Sequence, residues 1–111
     1  MNFKHEQQGD FDIVSIKGKI MGGDDFAELD DKLFSLIGRG RKKVIIDLSG
    51  CDWVNSTGLG RLIHHSTTFK NSGGEMKLAN LTDKIDKIIT ITRLTEVFDV
   101  SDSIEDAKNK F

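Results

Sequence analysis

Apolar positions recur along the chain with two different periods, and each change of period marks a new element. Residues 2 to 8 and 11 to 17 flank Gly9-Asp10, a turn signal between two runs suited to an antiparallel hairpin. The second run, Phe11 to Lys17, is the more apolar and is expected to lie deeper. Phe26, Leu29, Leu33, Leu36 and Ile37 then recur at helical spacing and form one stripe. Asp25 with Glu28 three residues later resembles a capping box at the start of this helix, and Gly38 with Gly40 is suited to end it. Lys43 to Leu48 is β-branched and does not alternate, the pattern of a strand covered on both faces.

A short loop is expected next, and then a helix with Leu59, Leu62, Ile63 and Phe69 on one side, ending near Gly73-Gly74. Glu75 to Asn80 alternates Met76 and Leu78 against Glu75 and Lys77, which reads as a strand. Ile85, Ile88 and Ile89 share one side of a helix capped by Thr82, with a β-branched end at 89–92 that favours fraying. Glu96 to Val100 reads as a short strand. Ser103 caps a last helix that turns Ile104, Ala107 and Phe111 inward, and its early Glu105 and Asp106 and late Lys108 and Lys110 match the helix dipole. The order ββαβαβαβα predicts an α/β fold with a central mixed sheet, antiparallel at its N-terminal edge and otherwise mostly parallel, and about four helices. In such sheets function gathers on loops at the carboxyl ends of strands.

Composition narrows the function classes. With 111 residues and no proline, repeat or low-complexity linker, residues 1–111 read as a single domain. A net charge of −2 argues against a nucleic-acid binder, and the basic run Arg39 to Lys43 reads as a solvated loop. Nothing approaches the ~20 apolar residues of a membrane span, and the polar start lacks a secretory signal, so no membrane partner is expected. A single cysteine, Cys51, excludes an internal disulfide and a cysteine metal cage. The chain is expected in the cytoplasm. The glycosylation patterns at Asn55 and Asn80 are therefore discounted.

The chemically suggestive stretch is Asn55 to Ile63, NSTGLGRLI. It follows a strand and opens a helix, where the first N–H groups are unpaired and carry partial positive charge. An Asn, Ser or Thr there caps the helix, contributing about 1 kcal/mol. The same N–H groups would receive a phosphate placed on a hydroxyl. Gly58 and Gly60 in one turn cost helix stability, roughly 1 kcal/mol each, and make better sense if another protein's backbone comes close. Gly60 is expected on the solvent side.

These residues carry a family resemblance. VIIDLSGCDWVNSTGLGRLI (44–63), followed by NSGGEMKLAN (71–80), resembles the STAS domain, specifically the anti-sigma factor antagonists. The family pattern is a strand ending Asp-Leu-Ser, a stretch with an aromatic, then Asp-Ser-Ser/Thr-Gly-Leu-Gly opening a helix. The resemblance extends in coarse order from about residue 3 to 111. It implies that Ser56 is phosphorylated by a partner that is both an anti-sigma factor and an ATP-binding serine kinase. The unphosphorylated form binds that partner, and a metal-dependent serine phosphatase restores binding after phosphorylation. Asn55, Ser56, Thr57, Gly58, Leu59 and Gly60 would form the contact surface with Met21, Gly22, Gly23 and Asp24, with Arg61 and His64 as additions from the helix. Three departures stand out: Asn55 replaces the usual aspartate, and Lys19 and Met21 replace acidic residues on a loop facing the phosphorylated serine. The alternative is a STAS accessory or scaffold subunit that is never phosphorylated, for example of a lipid-transport ATPase or a signalling complex.

Other candidates read as structural. Trp53 is expected to pack in the loop over the core. Asp24, Asp25, Asp30 and Asp31 read as helix-start and surface carboxylates. His64 and His65 lie roughly 12 Å or more along the helix from Ser56 at 1.5 Å per residue, too far to serve it as a base. With no P-loop, G-x-S-x-G elbow or metalloprotease pair, the sequence supports neither an enzyme nor a cofactor or metal site.

Overall fold

The computed structural model describes all residues, Met1–Phe111. Strands β1 (Asn2–Gln8) and β2 (Phe11–Ile20) pair antiparallel with Gln8 opposite Phe11, so the hairpin turns on Gly9-Asp10 as the pattern predicts. A short loop and one 3-10 turn (Asp24–Phe26) lead into α1 (Ala27–Gly38), β3 (Lys43–Val54), α2 (Ser56–Asn71) and β4 (Glu75–Ala79). Helix α3 (Asp83–Ile91), a second 3-10 turn (Leu94–Glu96), β5 (Asp99–Ser101) and α4 (Ile104–Lys108) complete the chain. The strands lie side by side in chain order, β2 to β5 parallel and β1 the antiparallel edge.

Successive strand side chains point to opposite faces, and this sorts the core. Val14 and Ile16, Val44 and Ile46, and Met76 and Leu78 join Leu29, Leu33 and Leu36 of α1, Leu59, Leu62 and Phe69 of α2, and Ile85 and Ile89 of α3. On the other face Ile13, Ile45 and Ala79 meet Ala107 of α4, with Phe11, Ile104 and Phe111 around them. Three helices thus cover one face and a single short helix covers part of the other. The expectation that Val44, Ile45 and Ile46 are covered on both sides holds: all three are buried.

Several boundaries differ from the sequence reading. Strand β3 does not stop at Leu48 but runs to Val54, leaving Asn55 as the only link to α2. Register shifts against β2 insert extra β3 residues at two points, between the pairs Ser15–Asp47 and Lys17–Gly50 and between Gly18–Cys51 and Lys19–Trp53. These bulges turn a two-residue alternation into a three-residue one, with Leu48, Cys51 and Val54 inward and the residues between them exposed. Trp53 consequently lies on a strand, 44% exposed, and not in a loop folded over the core. No capping box forms at Asp25 and Glu28. Phe26 precedes α1 with helical dihedrals and donates its N–H to the Gly23 carbonyl (3.0 Å), while Asp25 reaches the N-terminal ammonium (3.4 Å). Thr82 precedes α3 without capping it, and its hydroxyl instead donates to the Cys51 carbonyl (2.8 Å). Ser103 caps α4 as expected, accepting the Asp106 N–H (3.0 Å). The basic run is fastened: Arg41 pairs with buried Asp12 (2.6 Å) and donates to the Gly9 carbonyl (2.7 Å), and Lys42 donates to the Ser72 carbonyl.

Lys77 is the largest departure from simple alternation. Its side chain is buried beneath Phe111, whose ring centroid lies 4.9 Å from the ammonium. Burial presses the ammonium toward neutrality, but hydrogen bonds to Asp99 and Glu75 more than offset this and hold its pKa above the ordinary lysine value. The two carboxylates are 45% and 38% exposed, so only the cation is committed to the interior. Lys77→Met, which returns both carboxylates to water, is expected to change unfolding free energy by less than about 1 kcal/mol. Glu75→Ala with Asp99→Ala strands the ammonium and is expected to cost about 3 kcal/mol. Urea denaturation of the variants measures both, and equal losses would contradict this asymmetry.

Candidate functional site

Strands β2 and β3 end at the same rim of the sheet. Ile20 lies opposite Val54, and the Asn55 N–H donates to the Ile20 carbonyl (3.0 Å). The loop 21–24 and the start of α2 therefore leave the sheet side by side, at the carboxyl ends of neighbouring parallel strands. Asn55 is extended (φ −92°, ψ 174°), and its Oδ1 accepts the Gly58 N–H at 2.7 Å. The cap is thus Asn55, and Ser56 is the first residue of the helix. Ser56 and Thr57 are exposed, and the Ser56 hydroxyl makes no hydrogen bond within the chain.

The two glycines of the motif do different work. A Cβ on Gly58 would lie 2.6 Å from the Ile20 carbonyl oxygen and 2.8 Å from its Cγ2. Gly22 is buried at φ +71°, and a Cβ there would lie 2.7 Å from the Gly58 nitrogen. The close approach that these glycines permit is between the chain's own loop and helix. Gly60 is different: it is exposed, and a Cβ there would meet nothing within 4 Å.

Of the expected contact residues, Met21, Gly23, Asp24, Ser56, Thr57 and Gly60 are exposed along this rim, and Asn55 is half-buried. Gly22, Gly58 and Leu59 are buried beneath them and support the surface. Lys19 lies in the β2–β3 ladder opposite Trp53 and not on the loop. Asp47, of the Asp-Leu-Ser run, lies away from the rim. It accepts hydrogen bonds from the Ser49 N–H, Asn80 and Ser15 at 3.0–3.1 Å. Burial raises its pKa, but these bonds outweigh that and hold it below the ordinary carboxylate value.

Arg61 is committed within the chain. It donates to the Gly22 carbonyl (2.8 Å), pairs with Asp30, and lies over the Phe26 ring (4.6 Å). Asp30 is accordingly no free surface carboxylate: its other oxygen accepts from His65 Nε2 at 2.6 Å. The sequence reading named Asp30 and His65 separately and missed their pairing, although His65 follows Leu62 at helical spacing on the buried stripe of α2. His64 is exposed, edge-on to Phe34. Burial, then the charges of His64 and Arg61, push the His65 imidazole down to about 4. It is neutral at pH 7, with Nε2–H donating to Asp30 and Nδ1 a buried acceptor without a partner.

The STAS domain family model matches residues 2–107, nearly the whole set of elements described above. The chain belongs to the STAS domain family. The anti-sigma-B factor antagonist of Bacillus subtilis is 34% identical over 56 residues, covering 50% of this chain and 51% of that protein. The match thus spans about half the length of that relative. A crystal structure from Thermotoga maritima superposes with a TM-score of 0.85 at 22% identity, covering 97% of this chain and 92% of that one. The anti-sigma factor antagonist SpoIIAA in its unphosphorylated form superposes with a TM-score of 0.75 at 14% identity, covering 98% and 96%. Bacillus SpoIIAA in its phosphorylated form gives 0.75 at 15%, covering 98% of each chain. No helix in this STAS domain is long and apolar enough to cross a membrane.

Two stability predictions follow from this geometry. Gly58→Ala forces a methyl into the Ile20 backbone and is expected to lower unfolding free energy by about 2 kcal/mol, whereas Gly60→Ala raises it by up to about 1 kcal/mol. Chemical denaturation checks both signs. His65 binds its proton more weakly in the folded chain than in the unfolded one. Its contribution is therefore fully present above about pH 6.5 and is lost as pH falls toward 4. His65→Gln, which cannot titrate, is expected to flatten the decline in urea midpoint between pH 6.5 and 4, and parallel profiles would contradict this.

Proposed function

We propose that this STAS domain is an anti-sigma factor antagonist whose binding surface is switched by phosphorylation of Ser56. One observation carries the reading: an exposed serine hydroxyl without an intramolecular partner opens α2, on a rim shared with Met21, Gly23 and Asp24. The names of the Bacillus subtilis relative and of SpoIIAA, the latter solved with and without phosphate, support it. In the unphosphorylated state the rim binds an anti-sigma factor that is also an ATP-binding serine kinase. Small residues let its backbone approach Thr57 and Gly60. Transfer of phosphate to Ser56 adds a charge near −2 in the middle of that contact, and burying it costs more than the contact returns. A metal-dependent serine phosphatase removes the phosphate and restores binding. The domain acts in the cytoplasm as a binding protein and not as an enzyme.

Asn55 suits this cycle. It supplies the capping oxygen of the usual aspartate without its charge, so a phosphate on the next residue meets less repulsion. Mass spectrometry of the chain isolated from its own cells is expected to find phosphate on Ser56. Ser56→Ala is expected to retain the kinase partner in pull-downs, and Ser56→Asp to weaken retention by roughly tenfold or more. Equal retention would refute the switch and favour an accessory STAS subunit that is never phosphorylated. Phosphorylation of the wild type is expected to match or exceed that of Asn55→Asp; a silent wild type beside an active variant would overturn the role given to Asn55. Gly60→Ala, stabilising in itself, is expected to weaken partner retention, and undiminished retention would place the contact elsewhere.

A further inference from the structure

The proposed contact surface comes from two segments far apart in the chain, and the side-chain hydrogen bonds between them come from Arg61. Arg61 Nη1 donates to the Gly22 carbonyl at 2.8 Å and lies 3.4 Å from that of Gly23. Its Nη2 pairs with Oδ2 of Asp30 on α1, whose Oδ1 is held by His65 at 2.6 Å. Fully buried Phe26 lies under the guanidinium and also stacks on the His65 ring, 6.4 Å away at 14°. The fork of the guanidinium is thus spread between a loop carbonyl, a carboxylate and an aromatic face. Both terminal nitrogens of Arg61 are thus engaged within the chain, and 34% of its side chain is exposed.

We propose that Arg61 is a positioning residue, which fixes the Gly22-Gly23 turn on α2 so that loop and helix meet a partner as one preorganised surface. Its functional meaning rests on the contact surface proposed above; the clamp itself is a property of the free chain. The two adjacent glycines are where the loop would otherwise be freest, and ordering them on binding would subtract from affinity. Asp30 and His65 act through Arg61. The carboxylate aims the guanidinium, and the buried neutral imidazole holds the carboxylate. Lysine could not substitute, because a compact ammonium cannot span the Asp30 carboxylate and the Gly22 carbonyl as a planar fork does.

The test is backbone nitrogen-15 relaxation and amide exchange on the full chain, comparing wild type, Arg61→Lys and Asp30→Asn. In Arg61→Lys the amides of Met21 to Asp24 are expected to drop from rigid order parameters of about 0.85 toward 0.6. The Phe26 N–H, bonded to the Gly23 carbonyl, is expected to exchange about tenfold faster, while Ile46 in β3 changes far less. Asp30→Asn, which keeps Arg61 but removes the charge that aims it, is expected to loosen the same four residues to a smaller extent. An unchanged loop in Arg61→Lys, or loop and core loosened by the same factor, would overturn the proposal. The measurement needs no partner or phosphate, so failure of the Ser56 switch would leave it unaffected, and its own failure would leave the switch standing.

Discussion

The hydrogen bond from the Gly58 N–H to Asn55 Oδ1 is the constraint on which the candidate binding rim of this molecule depends. It closes the first turn of α2 one residue after β3 ends, while the Asn55 N–H ties the same residue to the end of β2. Asn55 therefore serves strand and helix together. That double duty leaves Ser56 as the first helical residue with its hydroxyl uncommitted. It also brings the helix backbone so close to Ile20 that only glycine fits at position 58. Burial of Gly22 against Thr57 and Gly58, and the reach of Arg61 over the loop, follow from the same close approach.

Charge is distributed so that this rim stays simple. Several basic groups are engaged within the chain: Arg41 with Asp12, Lys42 with a helix-end carbonyl, Lys77 beneath the sheet, and Arg61 with Asp30 and the Gly22 carbonyl. The helix start carries no acidic residue in its first turn and a neutral cap. The partial positive charge of its N–H groups is left without a carboxylate, and an added phosphate there would be the dominant charge. A contact in which Asp24 is the one exposed carboxylate beside uncharged Met21, Gly23, Ser56, Thr57 and Gly60 is strongly altered by such a charge.

Where period and turn chemistry agreed, the architecture could be read directly. The hairpin at Gly9-Asp10, the stripe of Leu29, Leu33 and Leu36, the twice-covered Val44 to Ile46 and the Ser103 cap all stand as the pattern implied. The readings that failed share a physical cause, a long-range contact outcompeting a local preference. Two bulges hid the second half of β3 by changing its period from two to three. Thr82 gave its hydroxyl to β3, Asp25 turned to the N-terminal ammonium, and Lys77 was buried where its own strand β4 and the neighbouring β5 each offer a carboxylate. At the candidate site, the motif and the resemblance singled out Ser56 and its rim. Neither could show that Gly58 and Gly22 face each other, which depends on how the loop after β2 meets α2, nor that Arg61 is occupied by Asp30, which depends on how α1 packs against α2.

The central claim is that one hydroxyl on this rim sets affinity for a partner. It is tested most directly by titration calorimetry of the purified kinase partner against two forms of the chain, one unmodified and one with phosphoserine installed at position 56. The account predicts that the phosphorylated form binds at least about a hundredfold more weakly, equivalent to about 2.7 kcal/mol. Dissociation constants that agree within experimental error would contradict it.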